Sequence, residues 1–422
     1  MLTRFGIIAT LLLCCTSLQG QVTAIKAGRL VDTESGTVLN NQVILVKNGR
    51  IDAVGASVRI PADANVLDLS GMTVLPGLID CHTHLTDSYA DADPLSELRK
   101  TAAVDAFASL PNAKATLLAG FTTVRDVGTY RALVDVALRD AINRGGVVGP
   151  RMYVAGAYVT ITGGAGAITG FDPGLTLPWE LHFGEANSPW EVRQRIRALA
   201  NQGVDLIKVL ATGAVLTHNS NVKSTEFTPE ELSAAVDEAH HFGLRVAAHA
   251  HSAEGIKNAV RAGVASIEHG SLADDEARQL MKEHGTYLVP TLEVDDCILD
   301  AHEPPDFIEH AQLVAKEQRE NFHRAVVAGV KIAFGTDISV CPFGTDGREF
   351  GLMVLGGMTP MHAIQAATVN AADLIGVSSK IGSIKPGKYA DIVAVKDDPL
   401  RDIRVLEKVN FVMKESLVYR RE

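Results

Sequence analysis

Short apolar runs recur along the middle of the chain, at 73–79, 122–127, 152–159, 206–210, 245–248, 265–267, 286–289 and 331–334. Between them lie stretches where apolar positions return every three or four residues, as in 188–202, 228–242 and 305–328. The first pattern reads as buried strands and the second as amphipathic helices. Thr228-Pro229-Glu230-Glu231 is a helix start, with a capping hydroxyl, then Pro and acids. Eight strands alternating with helices predict an α/β fold, a (β/α)8 TIM barrel over 73–379. An open doubly wound sheet is the alternative, but the polar residues closing so many of the runs favour the barrel.

The pattern changes towards both ends. Segments 43–47 and 50–54 flank Asn48-Gly49, a hairpin signal. After the turn Pro386-Gly387, segments 389–395 and 409–419 read as strands. The two ends, 25–72 and 380–422, are expected to form one small β-sandwich module. Residues 1–24 read as a secretory signal peptide: Arg4, an apolar run over 5–15, then small and polar residues. That run is shorter than the ~20 apolar residues a membrane span needs. The expected product is therefore periplasmic or secreted, with no membrane attachment after signal removal.

Composition narrows the function. The net charge of -11 and the absence of a basic run argue against nucleic acid as a partner. Hydrophobic residues make up 46% of 422, ample for a large core. Two of the five cysteines fall in the leader, and Cys81, Cys297 and Cys341 cannot all pair. The scaffold is not built on disulfides, although one bridge is allowed.

The residues that close the runs carry the chemistry. The first run leads into Asp80-Cys81-His82-Thr83-His84, and alternation puts His82 and His84 on one side. A lone His-x-His also arises from two structural histidines. Lys208 stands inside Leu206-Ile207-Lys208-Val209-Leu210, where a cation is costly to bury. It is either an ion-paired lysine or a neutral amine that has captured carbon dioxide as a carbamate able to bridge two metal ions. Further runs end in Ala248-His249-Ala250-His251, Glu268-His269-Gly270 and Gly335-Thr336-Asp337. Ligand-type residues at five strand ends point to a metal site rather than to packing.

These motifs resemble the amidohydrolase superfamily. The resemblance is carried by Pro76-Gly77-Leu78-Ile79-Asp80-Cys81-His82-Thr83-His84, Ile207-Lys208, His249-Ala250-His251, Ile267-Glu268-His269-Gly270 and Gly335-Thr336-Asp337. Lys385-Pro386-Gly387-Lys388-Tyr389-Ala390-Asp391-Ile392-Val393 resembles the closing β module of that superfamily. Gly120-Phe121-Thr122-Thr123-Val124-Arg125-Asp126-Val127-Gly128 is similar to the imidazolonepropionase-related branch. That branch holds prolidases, acyl-amino-acid carboxypeptidases and ochratoxin-hydrolysing amidohydrolases. The resemblance implies two divalent ions, zinc by expectation, on His82, His84, carboxylated Lys208, His249, His269 and Asp337, and a homo-oligomer.

The implied reaction is hydrolysis of an amide to a C-terminal amino acid, in a dipeptide or N-acyl amino acid, ochratoxin-type amides included. Metal ions lower the pKa of a water, and Asp337 moves its proton to the leaving nitrogen. His251 is assigned to carbonyl polarisation or leaving-group contact, with a role as orienter of His249 or Lys208 as the alternative. Ser88 and Tyr89 are expected at the entrance. Arg125 is expected to meet a substrate carboxylate or to pair with an internal acid, and Arg348 is a second carboxylate candidate. The loop 160–170 reads as a flexible lid. Relatives often carry a histidine after Thr-Gly-Gly where this chain has Ala165, with His182 as a possible substitute further along. Two other readings compete. A cyclic amide hydrolase or deaminase is suggested by His251-Ser252-Ala253-Glu254, but Lys208 argues against the deaminase. A catalytically decayed scaffold has only Ala165 in its favour.

Overall fold

The computed structural model describes residues 22–87, 96–172, 174–218, 220–301 and 303–422. The expected signal peptide lies almost wholly outside the described residues, as do Ser88 and Tyr89. No helix among the described residues is long and apolar enough to cross a membrane.

Both chain ends share one mixed sheet. Strands β1 (Thr23–Asp32), β2 (Thr37–Lys47), β3 (Arg50–Gly55) and β4 (Asn65–Pro76) come from the N-terminal side. The sheet order is β15-β14-β13-β4-β1-β2-β3, one continuous hydrogen-bonded sheet where a two-sheet sandwich was expected. Asn48 and Gly49 close the β2–β3 hairpin with φ of 50° and 77°, the primed-turn geometry that Asn tolerates and Gly, lacking a Cβ, adopts freely. At the other end, the predicted strand 409–419 is a hairpin, folded at Glu415 and Ser416 with φ of 49° and 74°. No Asn or Gly marks that turn, so the sequence pattern runs straight through it.

The middle of the chain alternates parallel strands with helices. Strands β5 (Leu78–Thr83), β6 (Phe121–Asp126) and β7 (Arg151–Val154) form one sheet. Strands β8 (Tyr158–Val159), β9 (Leu206–Leu210), β10 (Arg245–Ser252), β11 (Ser266–Leu272) and β12 (Tyr287–Val289) form a second. The chain returns to the mixed sheet as β13 (Ile392–Val395), β14 (Phe411–Lys414) and β15 (Leu417–Arg421). The predicted run 73–79 straddles two strands, because Gly77 ends the mixed sheet and lets β5 begin. A Cβ at Gly77 would sit 2.1 Å from Thr122 Oγ1, so only glycine passes there. The predicted run 152–159 is likewise divided between β7 and β8.

The eighth predicted strand, 331–334, pairs only through isolated bridges, so the parallel strands are not one unbroken ladder. Leu288 bridges Ile332 on one side, and Thr83 bridges Ile338 on the other. Cys81 N donates to Phe334 O at 2.8 Å, and Asp337 N donates to His82 O at 2.7 Å. Buried Asp80 strengthens the join, accepting from His82 N at 2.9 Å and Thr336 Oγ1 at 2.6 Å. Between β7 and β9, Asp205 N donates to Val154 O at 2.8 Å.

Helix starts are capped as the sequence indicates. Thr228 and Glu231 form a reciprocal capping box at Pro229–His241, and Ser252 caps Ala253–Ala262 directly at the end of β10. A disulfide joins Cys297, in the helix Val294–Asp300, to Cys341, four residues after Asp337. The bridge spans 44 residues of chain. Removing it in a Cys297→Ser, Cys341→Ser double variant is expected to cost about 2–4 kcal/mol, chiefly by freeing the unfolded chain. Denaturant midpoints of oxidised wild type and double variant check this; coincident midpoints would contradict it.

Candidate metal centre

The strand ends deliver their polar residues to one cavity of about 80 Å³. His82 comes from β5 with His84 just beyond it, Lys208 from β9, His249 and His251 from β10, and His269 from β11. Asp337 closes the run after Gly335, whose missing Cβ would lie 2.9 Å from that of His82. His82, His84 and Asp337 bring their donor atoms within 4.8 Å of one another, and His249, His251 and His269 form a second such group. Asp337 Oδ1 lies 3.3 Å from His84 Nε2 and 3.6 Å from His82 Nε2. The groups adjoin, with the His82 and His269 ring centres 5.0 Å apart.

A partner on its outer nitrogen orients each ring. His84 Nδ1 donates to the Gly128 carbonyl at 2.7 Å, and His249 Nε2 donates to the Gly213 carbonyl at 3.1 Å. A carbonyl only accepts, so the opposite nitrogen of each ring carries a lone pair. His82 Nδ1 is 2.8 Å from Glu268 Oε2, His269 Nδ1 2.7 Å from Thr291 Oγ1, and His251 Nδ1 2.9 Å from Ser271 Oγ. These contacts leave one nitrogen of each ring for the cavity, the arrangement of metal-ligating histidines. Burial keeps the rings neutral. It pushes His84 and His251 down to about 3 and holds His82, His249 and His269 well below the usual histidine range.

Lys208 is 2% exposed, and burial pulls its amine down to about 8 against the attraction of Glu268 and Asp337. Its charge bears on all five rings. Among the described residues Nζ has no hydrogen-bond or ion-pair partner. Asp337 is raised to about 7, first by burial and despite Lys208. His269, Asp337 and Thr291 have φ of 69°, 60° and 49°, left-handed values that side chains avoid. Such strain persists where the surroundings over-determine a site.

Several sequence expectations change. Arg125 does not face substrate: it is 4% exposed and donates to Cys81 O at 2.6 Å, Ser266 Oγ at 2.9 Å and Glu268 Oε1 at 2.8 Å. Its task is to hold Glu268, which in turn holds His82. Sequence reasoning gave Glu268 no role, and no local signal joins it to a partner 143 residues away. Arg348 opens a helix outside the cavity, 3.7 Å from Glu293 Oε1. His182 does not line the cavity. Glu254 of the deaminase-like run is 61% exposed and pairs with Lys257, which removes it from the chemistry.

The loop 160–170 is tied down at Ala165. There the N–H donates to Glu226 at 2.9 Å, and the carbonyl accepts from Thr217 Oγ1 at 2.8 Å. Ala165 itself lines the cavity, as does His251. Tyr158, unassigned in the sequence, reaches His84 Nδ1 at 3.0 Å and Asp87 Oδ2 at 3.2 Å.

A family model described as "Amidohydrolase family" matches residues 73–418. The ochratoxinase of Aspergillus niger is 34% identical over 413 residues, covering 92% of this chain and 84% of that protein. An imidazolonepropionase of Deinococcus deserti is 27% identical over 400 residues, covering 87% and 88%. Among solved structures, a Xaa-Pro dipeptidase with bound methionine in its active site superposes with a TM-score of 0.89. It is 39% identical and covers 95% of this chain and 100% of its own. These likenesses imply a TIM barrel with an added β module.

The neutral rings give a direct test. In metal-free protein at about pH 5, the side-chain resonances of all five cavity histidines are expected to be those of neutral imidazole, because a lowered pKa keeps a ring uncharged until the pH falls to it. An imidazolium signal from any of them at that pH would contradict the burial described.

Proposed function

The chain belongs to the amidohydrolase family, and on that footing we propose that it binds two divalent metal ions and cleaves the amide bond to a C-terminal amino acid. It is a hydrolytic enzyme, and its relatives support action on amides. The substrate class read here is a dipeptide or an N-acyl amino acid, with ochratoxin-type amides among the latter. The observation that carries the reading is Lys208, a buried amine without a hydrogen-bond partner among the described residues, whose charge bears on both groups of donors.

The residues fit a binuclear centre. Neutral imidazoles with inward lone pairs are the ligand form, and nitrogen with oxygen donors suits zinc, although manganese or cobalt also accept such sets. His82, His84 and Asp337 would hold one ion, and His249 and His269 the other. Lys208 would bridge them as a carbamate, its neutral amine adding to carbon dioxide with loss of a proton. Two bound ions supply a water of near-neutral pKa and an electrophile for the carbonyl oxygen. Asp337 takes the proton of the attacking water and delivers it to the leaving nitrogen. His251, held by Ser271, keeps a ring nitrogen towards the substrate carbonyl or leaving group. Glu268 and Arg125 keep His82 in place, and Tyr158 does the same for His84.

Export to the periplasm or beyond belongs to the same proposal. The leader-like run at 5–15 and the Cys297–Cys341 bridge both support it, since such bridges persist in oxidising compartments.

Purified protein is expected to carry about two transition-metal ions per chain, and chelation is expected to abolish release of free amino acid from a dipeptide and N-acyl amino acid panel. Release that survives full chelation would refute the mechanism. Lys208→Ala should lose metal and lower kcat/KM by more than the ~100-fold that outer partners are worth, while circular dichroism stays native. Turnover equal to wild type would show that Lys208 is no bridge. Glu268→Gln, which breaks the Arg125–Glu268–His82 chain, should weaken metal binding by about 10–100-fold in a chelator competition. Unchanged affinity would separate that chain from the metal centre.

A further inference from the structure

The Cys297–Cys341 bridge has a carboxylate beside it. Glu293 precedes the helix Val294–Asp300, and Cys297 N donates to Glu293 O at 3.3 Å, so the two side chains stand one turn apart on one face. Cys341 comes from the segment after Asp337. A carboxylate oxygen of Glu293 and both sulfurs lie within 4.8 Å of one another. Glu293 is 3% exposed, and its Oε2 has no hydrogen-bond partner among the described residues. The charge around it is one-sided. Asp346 and Glu349 are buried acids that interact with it, while the cation beside it, Arg348, lies 3.7 Å from Oε1 with its side chain 58% exposed. Burial and then Asp346 raise Glu293 to about 7, so positive charge is what the group lacks.

A buried carboxyl oxygen without a partner is costly unless a ligand completes it. We propose that Glu293, Cys297 and Cys341 form a redox-gated metal site, separate from the cavity, which takes one thiophilic divalent cation such as zinc when the bridge is reduced. A dithiol supplies two electrons and two protons. The S–S bond breaks, two S–H bonds form, and the dithiol closes to its own disulfide. Binding the cation releases those two protons as two thiolate–metal bonds form, with Glu293 as the third donor and water as the fourth. Cys341 is 1% exposed, but Cys297 is half-buried and gives the reductant a way in. Passing two electrons back to a disulfide re-forms the bridge and expels the cation. Either link, covalent or metal-mediated, ties the helix that lines the cavity through Val294 and Ile298 to the segment that carries Asp337. The clamp thus has one form for a reducing compartment and one for an oxidising compartment. The inference does not rest on the amide hydrolase reading.

Cobalt(II) is the probe, because a thiolate-to-cobalt charge-transfer band reports sulfur ligation and no cysteine lines the cavity. The metal-loaded full chain is treated with a phosphine, which takes oxygen from water as the bridge gains two electrons and two protons. A thiol reagent counts the freed thiols under native conditions. Reduced protein is expected to bind one more ion per chain than oxidised protein and to show the band. The oxidised chain and the Cys297→Ser, Cys341→Ser double variant should show neither. Glu293→Gln is expected to weaken binding of the extra ion by at least about tenfold in a chelator competition, with the band retained. Reduced wild type with no extra ion or no band overturns the proposal, as does a bridge that the phosphine does not open in the folded protein. Unchanged affinity in Glu293→Gln overturns the three-donor site. If that variant does not fold, the reduced wild type still decides.

Discussion

Lys208 has been taken out of water and set among five imidazoles and a carboxylate, and the centre is arranged around that fact. A buried ammonium is stable only with compensation. Its surroundings hold Arg125, Glu268 and Asp337, so a charged lysine makes two cations against two anions and a net of zero. As a carbamate, the same set becomes one cation against three anions, a net of -2 in a site of low dielectric. Two divalent ions would answer that excess. Carbamylation and metal loading are therefore expected to be coupled, each making the other favourable, and the neutral histidines add donors without adding charge.

Holding so many polar groups still requires support from outside the cavity. Glu268 is the clearest case, since one oxygen orients His82 and the other accepts from Arg125 and Ser266. Thr291 supports His269 while both residues have left-handed backbones. Asp80 ties the segment that carries Asp337 to the strand that carries His82. This tie replaces the continuous ladder that the 331–338 segment lacks, so the distance from Asp337 to the two histidines is held by side chains and a few backbone bonds.

The donors were legible in the sequence because each closes or interrupts an apolar run, and a polar residue in such a place has few reasons to be there. The strands were legible by the same contrast, but their ends were not. The run 73–79 crosses Gly77 without a change in polarity, and 409–419 crosses a turn at Glu415-Ser416 that uses neither Gly nor Asn. Arg125 stayed open between two readings because a strand-end arginine looks the same whether it faces substrate or an internal acid. Only the fold brings Glu268 to it. Asp295 and Asp296 are adjacent and chemically alike. Burial alone separates them, one enclosed in the cavity and the other 47% exposed and paired with Arg319.

Ala165 bears on which wall of the cavity reads the substrate. Where relatives often place a histidine, this chain offers a methyl group and a backbone N–H already committed to Glu226. The neighbouring Gly164 has no room for a side chain, as a Cβ there would lie 2.6 Å from Glu226 Oε2. Polar recognition from that loop is thus withdrawn. His251 still lines the cavity beside the donors. A substrate that satisfied the relatives' histidine would gain nothing at Ala165.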